Sequence, residues 1–216
     1  MRAWALACGL ALAALSAARA AEAPLALRPV VEAEEDVYSY EPANNGAGPL
    51  WCHGSTALVR LGDRVFATGL ETLKGAKPLN NCRWLLFERT PDGWKLRQAD
   101  PQGRTREPCP LAAFRDGRLF LSVNPTLAPP EAVVGPARPE ILQFAAANAA
   151  APPTTLLPVW DGAPPFCEHS YRSFAADGPG GELVLFQNIG YTHAEWAFRD
   201  REGRWAAKGR LVWPFG

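Results

Sequence analysis

The chain has 216 residues, with 22 basic and 22 acidic side chains and a formal net charge of zero. This balance gives no reason to expect nucleic acid or an anionic membrane as a partner. Hydrophobic residues make up 48% of the chain, which is sufficient for a packed core.

Residues 1–20 are predicted to be an export signal. Arg2 provides the positive start, residues 3–17 are apolar, and Ala18-Arg19-Ala20 is a small-x-small cleavage site. No later apolar stretch approaches the length of a membrane span. We therefore expect a secreted or periplasmic protein that has no membrane association after signal cleavage.

Residues 21–37 are acidic and rich in Ala and Pro, which predicts an N-terminal arm. Residues 38–216 then repeat one module three times: an apolar strand, a tight Gly/Asp turn, a second strand, a loop, and a third and fourth strand. The predicted strands are 57–60, 64–69, 83–88 and 94–98, then 111–114, 118–123, 140–144 and 154–157, then 171–175, 182–188, 194–199 and 204–210.

This repeat predicts an all-β protein built as a partial β-propeller, with four-stranded antiparallel blades at about 51–100, 106–160 and 167–211. Helix is nearly absent, and 145–150 is the one doubtful case. Because propellers close with about four to eight blades, we expect three blades of an incomplete ring that is monomeric at full length. A dimeric or trimeric assembly of partial rings is the alternative.

Chain direction alternates in such a blade, so two classes of loop emerge on one face. These loops hold nearly all the reactive side chains, whereas the opposite loops are plain Gly/Asp turns. The predicted catalytic residues are His169, His193, Tyr171 and Tyr191. The predicted substrate-binding residues are Arg172, Arg106, Arg83, Asn81, Asn188, Trp51 and His53.

The densest group is His169, Tyr171 and Arg172, which we place on the innermost strand of the third blade. An imidazole titrates near neutrality, a phenol transfers protons, and a guanidinium pairs with a carboxylate through two hydrogen bonds. Trp51 could stack on a sugar ring. The competing interpretation is that these side chains only pack between blades.

Four cysteines remain after signal cleavage: Cys52, Cys82, Cys109 and Cys167. They permit two disulfides in three pairings, and free buried thiols are equally compatible with the sequence. No C-x-x-C or H-x-x-H spacing occurs. We expect no cofactor, and a structural metal at a Cys/His group stays open.

The repeat, the turn Thr90-Pro91-Asp92-Gly93-Trp94 and the pairing of His169 with His193 resemble secreted propellers of the sialidase-like superfamily. Within it, the chain resembles the seven-bladed polysaccharide lyases that cut ulvan-type uronate polymers. The resemblance covers roughly residues 40–216 and implies that His169 and His193 match the lyase histidines, with arginine neutralising the uronate.

The resemblance implies β-elimination on an anionic polysaccharide, without a cofactor. Two other classes remain: a non-catalytic propeller that binds glycan or protein, and a sialidase-like hydrolase. A hydrolase needs paired carboxylates, for which the candidates are Glu71, Glu107 and Glu168.

Overall fold

We analysed a computed structural model of the chain, which describes residues 28–51 and 55–214. The predicted signal at 1–20 and His53 lie outside these residues. The structure divides into two units, Met1–Glu35 and Asp36–Gly216. Residues 28–35 of the first unit are exposed and have no regular secondary structure.

The second unit contains three four-stranded antiparallel sheets, which confirms the predicted fold class. In each sheet the strand order follows the chain. The first sheet consists of β1 (Leu58–Leu61), β2 (Arg64–Thr72), β3 (Cys82–Thr90) and β4 (Gly93–Ala99). The second consists of β5 (Leu111–Ala113), β6 (Arg118–Val123), β7 (Glu140–Ala145) and β8 (Thr154–Leu156). The third consists of β9 (Arg172–Asp177), β10 (Glu182–Ile189), β11 (His193–Arg199) and β12 (Trp205–Val212).

Short turns join β1 to β2, β3 to β4, β5 to β6, β9 to β10 and β11 to β12, where the sequence predicts them. The turn between β5 and β6 shows why glycine and aspartate favour these positions. Gly117 has a φ of 94°, a conformation that glycine adopts without strain. The Asp116 carboxylate accepts a hydrogen bond from the Arg118 amide at 3.0 Å. The doubtful helix is a single 3₁₀ turn, Ala146–Asn148.

The first strands of consecutive sheets contact one another, β1 with β5 and β5 with β9. The first junction, between the first and second sheets, is an apolar cluster that includes Phe66, Trp84, Leu86, Leu111, Leu121 and Phe144. The second junction, between the second and third sheets, includes Phe114, Phe120, Ile141, Phe174 and Leu185. This arrangement matches an incomplete, propeller-like stack.

The outer face of the first sheet is covered by residues that precede it. Tyr38 stacks on Phe87 with ring centroids 5.1 Å apart, and its hydroxyl accepts a hydrogen bond from the Leu70 amide at 2.9 Å. A Cβ on Gly69 would lie 2.6 Å from the Tyr38 ring, so only glycine leaves room for it.

Candidate functional site

The candidate residues of the third sheet lie at one edge of that sheet. Arg172 begins β9 and pairs with Gln187 of β10, while His193 begins β11 and pairs with Ile189 two residues further along β10. His169 and Tyr171 precede β9. The prediction that His169 lies on the innermost strand is therefore wrong, because it lies in a turn. Tyr171 directly precedes β9, and its carbonyl accepts a hydrogen bond from the Asn188 amide of β10 at 2.8 Å.

Arg106 is the centre of a buried polar group beside this edge. Its Nη1 lies 2.8 Å from His169 Nδ1 and 3.2 Å from Glu107 Oε1, and its Nε donates to the Asn45 carbonyl at 2.8 Å. Arginine can only donate, so Nδ1 of the imidazole is the acceptor. The proton of the neutral ring is therefore on Nε2, which lies 3.9 Å from Glu168 Oε1.

Burial lowers the pKa of His169 below its usual value, the positive charge of Arg106 lowers it further, and Glu168 opposes both effects. The imidazole is therefore neutral near pH 7. Its one lone pair is engaged by Arg106, so the ring has no free basic nitrogen while that contact holds.

Asn81 is buried and holds the backbone that contacts Arg106. Its amide nitrogen donates to the Ala43 carbonyl at 2.7 Å, and its Oδ1 accepts from Asn45 Nδ2 at 3.0 Å. A Cβ on Gly46 would lie 2.9 Å from Arg106 Nη2. Asn81 is thus a positioning residue, and Asn45 is a member of the group that the sequence did not indicate, although its Asn-Asn-Gly turn was visible.

Arg172 is 2% exposed and points toward the second sheet. Its Nη2 donates to the Glu107 carbonyl at 2.7 Å and contacts Cys109 Sγ at 3.2 Å. Its Nε and Nη1 have no hydrogen-bond partner among the described residues. On β9 it alternates with Ser173 and lies on the same side as Phe174. The guanidinium therefore braces the second junction.

A cleft of about 380 Å³ opens on the other side of β9. Tyr171 and Trp51 meet there edge to face, with ring centroids 6.4 Å apart, and Trp51 is 44% exposed. The Ser55 hydroxyl donates to the Arg172 carbonyl at 2.7 Å and thereby ties the approach to β1 to the third sheet. The lining is completed by Arg172, Ser173, Phe186 and Asn188.

Burial raises the pKa of Tyr171, and the negative charge of Glu107 adds to the effect, while the contact with Trp51 and the charge of Arg106 oppose it. The phenol therefore keeps its proton near neutral pH and can donate it. Tyr191 is 77% exposed, and nothing in the geometry fixes its hydroxyl toward the cleft.

His193 belongs to a second polar group. Its Nε2 lies 3.3 Å from Glu195 Oε1, and its Nδ1 lies 2.8 Å from the Thr192 hydroxyl. Arg210 also pairs with Glu195, at 2.7 Å. The two histidines thus have separate partners, and the sequence prediction that they work as a pair gains no support from these contacts.

Arg83 pairs with Glu71 directly across β2 and β3, where both side chains are partly exposed. His53 lies outside the described residues. The described cysteines, Cys82, Cys109 and Cys167, are free thiols, and Cys52 lies outside the described part. Within residues 28–51 and 55–214, no three His, Cys, Asp or Glu side chains gather as metal ligands.

No family model matches this chain, and no curated protein matches it. The class of protein therefore comes from the fold alone: an all-β chain of three propeller-like sheets. No helix in the described part of the chain is long and apolar enough to cross a membrane.

Proposed function

We propose that this chain is an exported carbohydrate-binding protein that recognises an acidic, uronate-containing glycan at the cleft beside Tyr171. The observation that carries the proposal is the pair of Trp51 and Tyr171, which forms an aromatic wall on an open cleft. Aromatic rings present a flat apolar surface that matches the C–H face of a pyranose.

Polar groups at the cleft suit the rest of a sugar. Asn188 offers an amide that both donates and accepts, and Ser173 offers a hydroxyl. His169 lies two residues before Tyr171 in the chain, is partly exposed, and contacts one nitrogen of the buried Arg106 guanidinium. A uronate carboxylate is a stronger partner for that nitrogen than a neutral imidazole is, which supports an acidic ligand.

Titration calorimetry of the mature chain with a tetragalacturonate tests this proposal. Replacing Trp51 or Tyr171 by alanine should weaken binding about tenfold, because the lost ring contact is worth on the order of 1.4 kcal/mol. Leu96→Ala is the matched control, since Leu96 is an exposed apolar side chain on β4 of the first sheet. Equal affinity in all three variants would contradict the proposal.

β-Elimination on the same glycan is the second candidate, favoured by the direct contact of Arg106 with His169. If a uronate carboxylate takes over the Arg106 guanidinium, it frees the lone pair of Nδ1. His169 then removes the C5 proton, the electron pair forms the C4=C5 double bond, and the C4–O bond breaks. The Tyr171 hydroxyl supplies a proton to the departing oxygen.

The lyase candidate predicts unsaturated ends, which ultraviolet absorbance detects. His169→Gln should lower turnover by roughly 10² to 10⁴, the usual contribution of a proton-transfer group, and should leave binding largely intact. Binding without an unsaturated product would support the binding-protein hypothesis and contradict the lyase hypothesis. The hydrolase alternative gains no support, because Glu71, Glu107 and Glu168 have separate partners.

A further inference from the structure

A second cavity, of about 520 Å³, lies at the first junction, away from the cleft at Tyr171. Its walls come from the end of β4, the turn at 100–105, the loop at 125–138 and the segment at 150–155. The loop at 125–138 is rich in proline, and loops of this length inside a compact fold are typically functional or disordered. The volume is in the usual range for a small-molecule site.

Two carboxyl groups in this cavity have different surroundings. Glu140 is buried and accepts a hydrogen bond from Arg138 Nε at 2.7 Å. Burial raises the pKa of Asp100, and the negative charge of Glu140 adds to the effect. The backbone amides of Gln102 and Gly103 and the charge of Arg83 oppose it. One acid is thus a fixed acceptor and the other takes up a proton more readily.

The Thr105 hydroxyl is an independent indication that a ligand binds in this cavity. Thr105 lines the cavity and is 2% exposed, yet its hydroxyl has no hydrogen-bond partner in the part of the chain that the structure describes. Buried hydroxyls are almost always paired. A hydroxylated ligand would provide the partner that the protein does not.

The remaining walls determine the class of ligand. Apolar side chains also line the cavity, among them Trp84, Val123, Leu127, Leu142 and Pro152. Among the described residues that line it, two carry carboxyl groups, Asp100 and Glu140, and one carries a positive charge, Arg138, so the lining disfavours a carboxylate ligand. A ring with apolar C–H edges and several hydroxyls fits both features.

We propose that this cavity is a binding site for a neutral sugar ring, separate from the acidic-glycan cleft. Thr105 and the Glu140 carboxylate hydrogen-bond to ring hydroxyls, and the apolar walls cover the ring's C–H edges. The site does not rest on the proposed function, because no residue of the cleft at Tyr171 lines it.

The test is an NMR titration of the ¹⁵N-labelled mature chain with methyl β-D-glucopyranoside and its galacto epimer at millimolar concentration. We expect shift changes at the amides of Gln102 and Thr105 with at least one epimer. Galacturonic acid, as a matched anionic probe, should leave these amides unchanged. No shift with either neutral sugar, or shifts confined to Tyr171 and Asn188, would overturn the proposal.

Variants locate the hydrogen bonds. Thr105→Val keeps the shape of the side chain and removes its hydroxyl, so neutral-sugar affinity should fall about fivefold or more. Thr154→Val is the matched control, because Thr154 is exposed on β8 and does not line the cavity. Thr105→Ser should retain binding. Equal affinity for Thr105→Val and Thr154→Val would overturn the proposal, and the wild-type titration decides the question if Thr105→Val fails to fold.

Discussion

The two junctions between sheets are built differently. The first junction is apolar where Trp84 meets Phe144 edge to face, with ring centroids 6.2 Å apart. The second junction begins with an apolar cluster around Phe174 but continues into buried polar groups at the end near Tyr171. There Asn124 Nδ2 donates to Gln187 Oε1 at 3.0 Å and to the Ser170 carbonyl at 3.3 Å.

Buried polar atoms are costly when they are left without partners. At the second junction, Asn124 Oδ1, Gln187 Nε2 and two nitrogens of Arg172 have none among the described residues. The difference between the junctions is one of composition at the end near Tyr171. There the second junction adds buried amides and a guanidinium to its apolar cluster, next to the turn that holds His169.

The largest expected effect tests the apolar junction. Phe144→Ala should destabilise the protein by roughly 3–5 kcal/mol, because it removes a buried ring that packs against Trp84. Phe174→Ala is the matched change at the second junction and should cost less, because neighbouring polar side chains and water can enter the space. Chemical denaturation measures both. A greater loss for Phe174→Ala would reverse the comparison.

The next effect concerns Arg172. Arg172→Ala should cost about 3 kcal/mol, since it leaves a cavity and removes the donor to the Glu107 carbonyl. Arg172→Met should cost at least about 1 kcal/mol less, because it fills the space without burying N–H groups that lack partners. Urea denaturation of both variants checks the order. An equal loss of unfolding free energy in both variants would mean that the hydrogen bond to Glu107, rather than the filled volume, stabilises the fold.

A smaller effect comes from the buried amide pair. Asn124→Leu and Gln187→Met should each destabilise by about 1–2 kcal/mol, because each leaves its former partner unsatisfied. The double variant should cost clearly less than the sum of the two, since it removes both members of the hydrogen bond. A double-mutant cycle from denaturation curves measures this coupling. Strict additivity would show that the two amides act independently.

The smallest effect is a pH dependence from His169. Its pKa is lowered by folding, so the unfolded chain binds a proton first as the pH falls. The stability contribution is therefore fully present above about pH 6.5, the unperturbed value, and is lost as the pH falls below it. His169→Gln should flatten this slope, measured as denaturation midpoints between about pH 5 and 8. Parallel curves for the variant and wild type would refute this prediction.

The sequence predicts the strands well because two local signals agree. Apolar residues recur over short segments, and glycine and aspartate mark the turns at Gly62, Asp116 and Gly117. All twelve predicted strands overlap an observed strand. The sequence does not mark where β9 starts, because residues 169–172 are polar. Only the ladder with β10 defines where the strand begins.

The site was predictable only in part. Arg106 and His169 were both candidates, but their contact joins residues 63 positions apart and no local pattern reveals it. The sequence also could not show which side of β9 faces the cleft, because the cleft is formed with residues distant in the chain, such as Ser55, which is 117 positions from Arg172. Arg172 was predicted to bind substrate; it is one of the residues that line the cleft, and its guanidinium donates to the Glu107 carbonyl.

Tyr38 covers the outer face of the first sheet, so the two outer sheets are not equivalent. Repeat proteins need a cap at each end, because an exposed repeat face is a template for further packing. Here one terminal face is capped by a ring that only Gly69 can accommodate. At the other end, Phe186 and Trp196 of the third sheet are only partly buried. The two outer sheets therefore differ: Tyr38 covers the first, whereas aromatic side chains of the third stay partly exposed.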